Sequence, residues 1–176
     1  MTPSYAGISY ERIESEGLHW PCPHEEHPGT PILHRDQFTR GKGLFHAIDY
    51  RDPAETTDSE YPLYLTTGRV LYHYHTGTMT MKSKGLNERA PGCFVEISPK
   101  DAALYDLEDG MPVEIASRRG KIQARIKVSA KAVSGTVFIP FHFAGAAANR
   151  LTNAALDPVS QIPEFKVCAV KLSKAA

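Results

Sequence analysis

The sequence predicts a mainly β protein with short helices, its later two thirds folding as a closed barrel of about six strands behind an irregular N-terminal segment. Three observations carry this. Short runs rich in β-branched and aromatic residues recur after residue 59, each bounded by Gly, Pro or charged residues. The pieces between them leave room for only small helices, and an open sheet of such strands would expose two edges, so closure is expected. The first sixty residues hold six of the thirteen prolines and follow neither a helical nor a strand period.

Taken in order, residues 1–58 read as an irregular N-terminal wrapping segment and linker. Trp20-Pro-Cys-Pro-His-Glu-Glu-His-Pro-Gly29 is its least regular run, residues 44–50 form one short strand, and the acidic stretch 51–60 is linker. Residues 59–176 form the barrel domain. Tyr61-Pro-Leu-Tyr-Leu-Thr66 makes a buried strand ending at Gly68, and Cys93-Phe-Val-Glu-Ile97 a second, with a long glycine-containing loop between them. Ser98-Pro-Lys-Asp101 opens a helix: Ser98 caps it, Pro99 suits its first turn, and Asp101 complements its dipole. The helix runs to about Leu107 and stops at Gly110. Residues 111–117 and 121–128 alternate apolar and polar across Arg118-Arg119-Gly120, a hairpin signal. A strand over 135–140, a short helix around 146–153 and a strand over 166–172 complete the chain.

A chain of 176 residues suits one domain with a real core and leaves no room for two full enzyme domains. Twenty basic residues balance twenty acidic ones, which argues against nucleic acid or an anionic membrane as bulk partner. The balance hides a gradient: residues 1–60 carry five basic and eleven acidic side chains, and from Pro112 onward there are ten basic against three acidic. That split fits either scattered solvated charge or an anionic ligand on the barrel. No run approaches the roughly 18 apolar residues of a membrane helix, and the start lacks the basic-then-apolar order of a secretion signal, so a cytoplasmic location is expected. Cys22, Cys93 and Cys168 include no Cys-x-x-Cys pair, which fits a reducing compartment and cannot hold a four-cysteine iron–sulfur cluster.

Candidate chemistry is sparse. His19, Cys22, His24, His27 and His34 crowd together, but their spacing fits no zinc finger, and a solvent-facing loop is expected rather than a metal site. Phosphate-binding loops, dinucleotide Gly-x-Gly-x-x-Gly turns and Gly-x-Ser-x-Gly elbows are absent. Arg118 and Arg119 read as a solvated hairpin tip. The most informative segment is Thr67-Gly-Arg-Val-Leu-Tyr-His-Tyr-His-Thr76, directly after the first barrel strand. Gly68 lets the backbone turn and present N–H groups to pyrophosphate oxygens, and Arg69 adds charge-assisted bonds. If the segment stays extended, His73 and His75 line one groove with Thr67 and Thr76 while Tyr72 and Tyr74 face away. An ordinary amphipathic loop with internally satisfied histidines fits the same residues.

Thr67-Gly-Arg-Val-Leu-Tyr-His-Tyr-His-Thr-Gly-Thr-Met-Thr80 resembles the dinucleotide-contacting loop of the C-terminal domain in molybdenum and tungsten oxidoreductases of the dimethyl sulfoxide reductase family. Ile139-Pro-Phe-His-Phe-Ala-Gly-Ala-Ala-Ala-Asn-Arg-Leu-Thr152 and Asp157-Pro-Val-Ser160, closing with Glu164-Phe-Lys-Val-Cys-Ala-Val-Lys171, resemble that domain's later ligand-contacting region. The blocks keep the family's order and spacing over residues 59–176. Within the family, Thr2-Pro-Ser-Tyr-Ala-Gly-Ile-Ser-Tyr-Glu-Arg12 and Leu18-His-Trp-Pro-Cys-Pro23 are most like formate dehydrogenase catalytic (alpha) subunits, with nitrate reductases the alternative.

The resemblance implies a six-stranded double-psi β-barrel of the aspartate-decarboxylase-like kind. That barrel would grip the guanine dinucleotide of a bis(molybdopterin guanine dinucleotide) cofactor carrying molybdenum or tungsten. It implies cofactor contacts from Thr67, Gly68, Arg69, Val70, Leu71, Tyr72, His73, Tyr74, His75 and Thr76, and from Phe141, Asn149 and Lys166; His142 receives no role. The implied partners are the remaining domains of the catalytic subunit and electron-transfer subunits, with the metal ligand and a 4Fe-4S cluster outside this chain. A chain of this kind is not expected to be active alone, and the same domain in a free-standing cofactor-binding subunit is a further alternative. Pyruvoyl-type decarboxylation, which shares the barrel shape, needs a Gly-Ser pair that is absent.

Overall fold

A computed structural model describes residues 2–175. The chain divides into two compact units, one ending at Asp49 and one beginning at Tyr50.

The second unit is built on six strands: β1 (Leu63–Gly68), β2 (Phe94–Ile97), β3 (Pro112–Ala116), β4 (Lys121–Val128), β5 (Thr136–Pro140) and β6 (Cys168–Lys174). They close into a barrel in the order β1-β5-β2-β4-β3-β6. Inward residues alternate with outward ones, most clearly along β4, where Ile122, Ala124 and Ile126 are buried between exposed neighbours. Leu65, Val95, Ile97, Val113, Ile115, Val137 and Ile139 meet them to fill the interior. The β3–β4 hairpin forms as its alternation predicts. Ser98 caps α3 (Pro99–Leu104), its hydroxyl accepting the Asp101 N–H at 3.1 Å.

Two pairs in the barrel are parallel, β1 with β5 and β2 with β4. Neither pair is consecutive in the chain: β5 is inserted between β1 and β2, and β2 between β4 and β5, so the connections that join those strands must cross an end of the barrel. The β1–β2 connection crosses over β5, and the β4–β5 connection crosses over β2, the two interlocked crossings of a double-psi barrel. Exchanging β1, β2, β3 with β4, β5, β6 leaves the strand order unchanged, so the connectivity has an internal twofold.

The two ends are finished differently. At the end crossed by residues 129–135, the buried Asp101 accepts bonds from Ser98 Oγ (2.9 Å), Ser134 Oγ (2.7 Å) and the Gly135 N–H (2.7 Å). Burial opposes ionisation of this carboxyl, but those three bonds outweigh it and hold its pKa below the usual range. That end is thereby closed. The other end carries the β1–β2 and β5–β6 connections and the β3–β4 hairpin tip.

Several sequence expectations fail for physical reasons. Residues 44–50 are not a strand: no neighbour offers them a ladder, and Leu44, Phe45 and Ile48 are largely exposed. The helix expected around 146–153 is instead two 3-10 turns, Ala144–Ala146 and Ala148–Arg150, interrupted where Ala147 turns extended (φ −65°, ψ 98°). A short helix, α2 (Lys84–Arg89), lies in the first crossing where only loop was expected, because Gly85 weakens the local helical signal.

The stretch read as linker also contributes to the barrel. Glu55, 11% exposed, receives Arg118 Nη1 at 2.7 Å, both terminal nitrogens of Arg119, and the Ala169 N–H at 2.9 Å. Arg119 also donates to the Leu151 carbonyl at 2.7 Å, so the hairpin tip is bound rather than solvated. Burial raises the Glu55 pKa, but the Arg119 and Ala169 bonds and the two guanidinium charges outweigh it and hold it low.

In the first unit, Ser9 caps α1 (Tyr10–Ser15), and Arg12 Nη2 reaches the His27 carbonyl at 2.8 Å while Nη1 donates to the Gly7 carbonyl and meets Cys22 Sγ at 3.4 Å. Gly7 and Cys22 share a backbone bond of 2.8 Å, and a side chain at Gly7 would collide with the His24 backbone. Cys22 is thus turned inward, and among the described residues no group of three or more His, Cys, Asp or Glu is placed to hold a metal. No described helix is long and apolar enough to cross a membrane.

Glu55→Gln should cost about 1.5–3 kcal/mol of stability near neutral pH, as for a buried charge-assisted network. Because the folded pKa is depressed, the stabilisation is complete above the ordinary glutamate range and lost as pH falls through the lower folded value. Urea unfolding of wild type and variant should therefore converge at acid pH.

Candidate functional site

The register of β1 against β5 runs from Tyr64↔Thr136 to Gly68↔Pro140, so both strands end together. The segment after β1 and the segment after β5 consequently leave the barrel side by side, although they are more than seventy residues apart in sequence. Phe141 N–H bonds the Gly68 carbonyl at 3.2 Å and is the last rung between them. Beyond it the ladder stops, and residues 69–76 form turns instead of continuing extended.

The groove that an extended segment would make is therefore not formed. His73 and His75 do not share a face. His73 is buried, with Nε2 2.9 Å from the Ala90 carbonyl and Nδ1 3.2 Å from Thr80 Oγ1. Its ring packs edge-on to Phe143 at 5.6 Å. His75 is exposed in a left-handed conformation (φ 50°), with Nδ1 3.4 Å from Arg69 Nη2 and its ring edge-on to Tyr74. Thr67 is buried and donates its hydroxyl to the Phe165 carbonyl at 2.8 Å. Gly68 has no positive φ; a Cβ there would lie 2.6 Å from the Phe138 ring, so glycine serves a close approach rather than a turn.

The remaining predicted residues separate into groups. Arg69, Val70, Leu71 and Tyr72 line a cleft of about 480 Å³, faced by Arg89, Pro91, Phe94 and Phe138. Lys127 also lines it but is paired to Glu96 at 3.0 Å, whereas Arg69 and Arg89 make no ion pair among the described residues. The N–H groups of Leu71, Tyr72, His75 and Thr76 likewise make no hydrogen bond among the described residues. Tyr74 and Thr76 are exposed. Phe141 is half-buried beside His142, ring centroids 5.0 Å apart. Asn149 lies exposed in the second 3-10 turn, its side-chain amide makes no hydrogen bond among the described residues, and its carbonyl accepts the Thr152 hydroxyl. Lys166 donates to the Thr67 carbonyl at 2.5 Å and borders a different recess with Tyr64 and Thr136.

Two residues that the fold brings to this segment were not singled out by the sequence. Arg89 is brought opposite Arg69 only by the fold of the crossing. His142, 2% exposed, bonds the Val70 N–H through Nε2 at 2.9 Å and the His75 carbonyl through Nδ1, joining the two segments.

Residues 63–169 match the family described as the molydopterin dinucleotide binding domain. The chain belongs to that family. The molybdopterin dinucleotide-binding domain seen here is 51% identical over 176 residues to a formate dehydrogenase alpha subunit of Methanococcus maripaludis, covering 99% of this chain and 26% of that protein. It is 46% identical over 174 residues to the assimilatory nitrate reductase catalytic subunit of Bacillus subtilis, covering 96% of this chain and 24% of that protein. The chain thus spans about a quarter of the length of these relatives. Acetylene hydratase from Pelobacter acetylenicus shares the fold, with a TM-score of 0.62 and 19% identity over 72% of this chain and 21% of that one.

Gly68→Val should displace the Phe138 ring and cost about 1–3 kcal/mol. Thermal unfolding checks this, with Gly85→Ala, where a Cβ meets nothing within 4 Å, expected not to destabilise.

Proposed function

We infer that this domain holds the guanine dinucleotide part of a bis(molybdopterin guanine dinucleotide) cofactor, with molybdenum or tungsten, as one domain of a formate dehydrogenase catalytic subunit that oxidises formate to carbon dioxide. The observation that carries the reading is the set of unused main-chain donors at Leu71, Tyr72, His75 and Thr76 beside two unpaired guanidiniums, Arg69 and Arg89. Pyrophosphate oxygens call for donors and positive charge of this kind. A purine or pterin edge calls for an amide that both donates and accepts, which the free Asn149 side chain offers, and for aromatic faces, which Tyr72, Tyr74 and Phe141 supply. The residues present therefore fit the group.

In this reading Arg69 and Arg89 bind the phosphates, Asn149 orients a heterocycle, and Lys166 acts partly through the Thr67 carbonyl, holding the strand end from which the loop departs. When bound, the cofactor supplies two-electron redox chemistry at its metal. Cys93 and Cys168 take no part: burial pushes both up to about 11, leaving them protonated and poor ligands. The partners would be the other domains of the catalytic subunit and electron-transfer subunits, and the reduced cysteines are consistent with a cytoplasmic location. The 46% identity to a nitrate reductase supports nitrate reduction as the second reading.

Arg69→Ala, Arg89→Ala and Lys166→Ala should each weaken binding of guanosine diphosphate or of the intact cofactor by about 1–3 kcal/mol. Titration calorimetry giving unchanged affinity in all three would refute the site. Formate-dependent dye reduction by the full-length enzyme, without nitrate reduction, would separate the two readings.

A further inference from the structure

His142 has both ring nitrogens engaged inside the unit. The Val70 main-chain N–H can only donate and the His75 carbonyl can only accept, so Nε2 must be bare and Nδ1 protonated. One neutral tautomer satisfies both bonds. The two partners lie five residues apart in the same loop, and 72 and 67 residues from His142 in the chain. Between them lie Leu71 and Tyr72, whose N–H groups are unused.

We propose that His142 is the positioning residue of this loop: a strut that closes residues 70–75 into a fixed ring and sets the directions of the N–H groups within it. The carbonyl it holds belongs to His75, which has φ 50°, a left-handed conformation that is strained for a residue with a Cβ. Without a partner for that carbonyl the loop has every reason to relax. The barrel's internal twofold supplies a parallel. Asp101, shortly after β2, ties down the crossing that passes over β2, and His142, shortly after β5, ties down the crossing that passes over β5. The carboxylate can only accept, and it seals its end. The imidazole donates once and accepts once, holding its crossing while leaving other donors free. His73 anchors the far part of the same crossing in the opposite tautomer, since the Ala90 carbonyl requires a proton on Nε2. The two rings lie 6.0 Å apart.

The purpose of the strut rests on the function proposed above, but its test does not use the ligand. In the ¹⁵N-labelled 176-residue chain, long-range proton–nitrogen spectra should show His142 as the Nδ1–H tautomer, and the Val70 amide should be protected from exchange. His142→Phe keeps the ring and removes both bonds; it should speed Val70 exchange by about tenfold or more while amides of β3 and β4 keep their protection. His142→Gln, whose amide has a donor and an acceptor, should restore part of that protection, which a purely space-filling role would not do. An Nε2–H tautomer, or Val70 protection unchanged in His142→Phe, would overturn the proposal. Should His142→Phe fail to fold, the wild-type tautomer and the glutamine variant decide it. A chain that passes these tests but binds no guanine dinucleotide would strike the functional reading and leave the strut standing.

Discussion

The parallel pairing of β1 with β5 is the constraint on which the rest depends. It inserts β5 between β1 and β2, so residues 69–93 must travel across the barrel end before β2 can begin. It also brings Gly68 and Pro140 level, so two segments distant in sequence leave the barrel at one place. Pro140 has no N–H, and beyond Phe141 the strands offer no further rung. From that point side chains hold the backbone, chiefly His142 and His73, and main-chain donors are left unused where Arg69 and Arg89 face one cleft.

The internal twofold gives the two barrel ends equivalent crossings that are finished differently. Asp101 makes the opposite crossing part of the scaffold, with every oxygen engaged. At the end that carries residues 69–76 the scaffold is instead secured from the side: Glu55 gathers the Arg118–Arg119 tip and the start of β6, and Arg119 passes the tie on to Leu151. This leaves the 3-10 turn bearing Asn149 anchored at its exit while its amide stays exposed. Rigidity is supplied beside the loop rather than within it, the arrangement expected of a binding loop on a firm frame.

What was legible in the sequence was local. Ser98, Pro99 and Asp101 announce a helix start within four residues, and the alternation on either side of Arg118-Arg119-Gly120 announces the hairpin. The segment 67–76 stood out by its composition, and its resemblance to known loops named the family. Its conformation was not legible, because whether it could stay extended depended on a partner strand far away in sequence, and β5 stops beside it at Pro140. Glu55 was hidden for a related reason: its partners lie 63, 64 and 114 residues away, and nothing in an acidic, proline-containing stretch distinguishes a clamp from a linker. Residues 146–153 misled because three alanines favour a helix in isolation, whereas here the chain turns extended at Ala147 and is pinned at Leu151.

The central claim is that one end of the barrel receives the dinucleotide and the other does not. Chemical-shift mapping of the ¹⁵N-labelled chain during titration with guanosine diphosphate tests it most directly. Changes should gather at residues 69–76, 89–92 and 141–150, with residues 99–106 and 129–135 unmoved. Changes gathered at the Asp101 end, or none at saturating nucleotide, would contradict it.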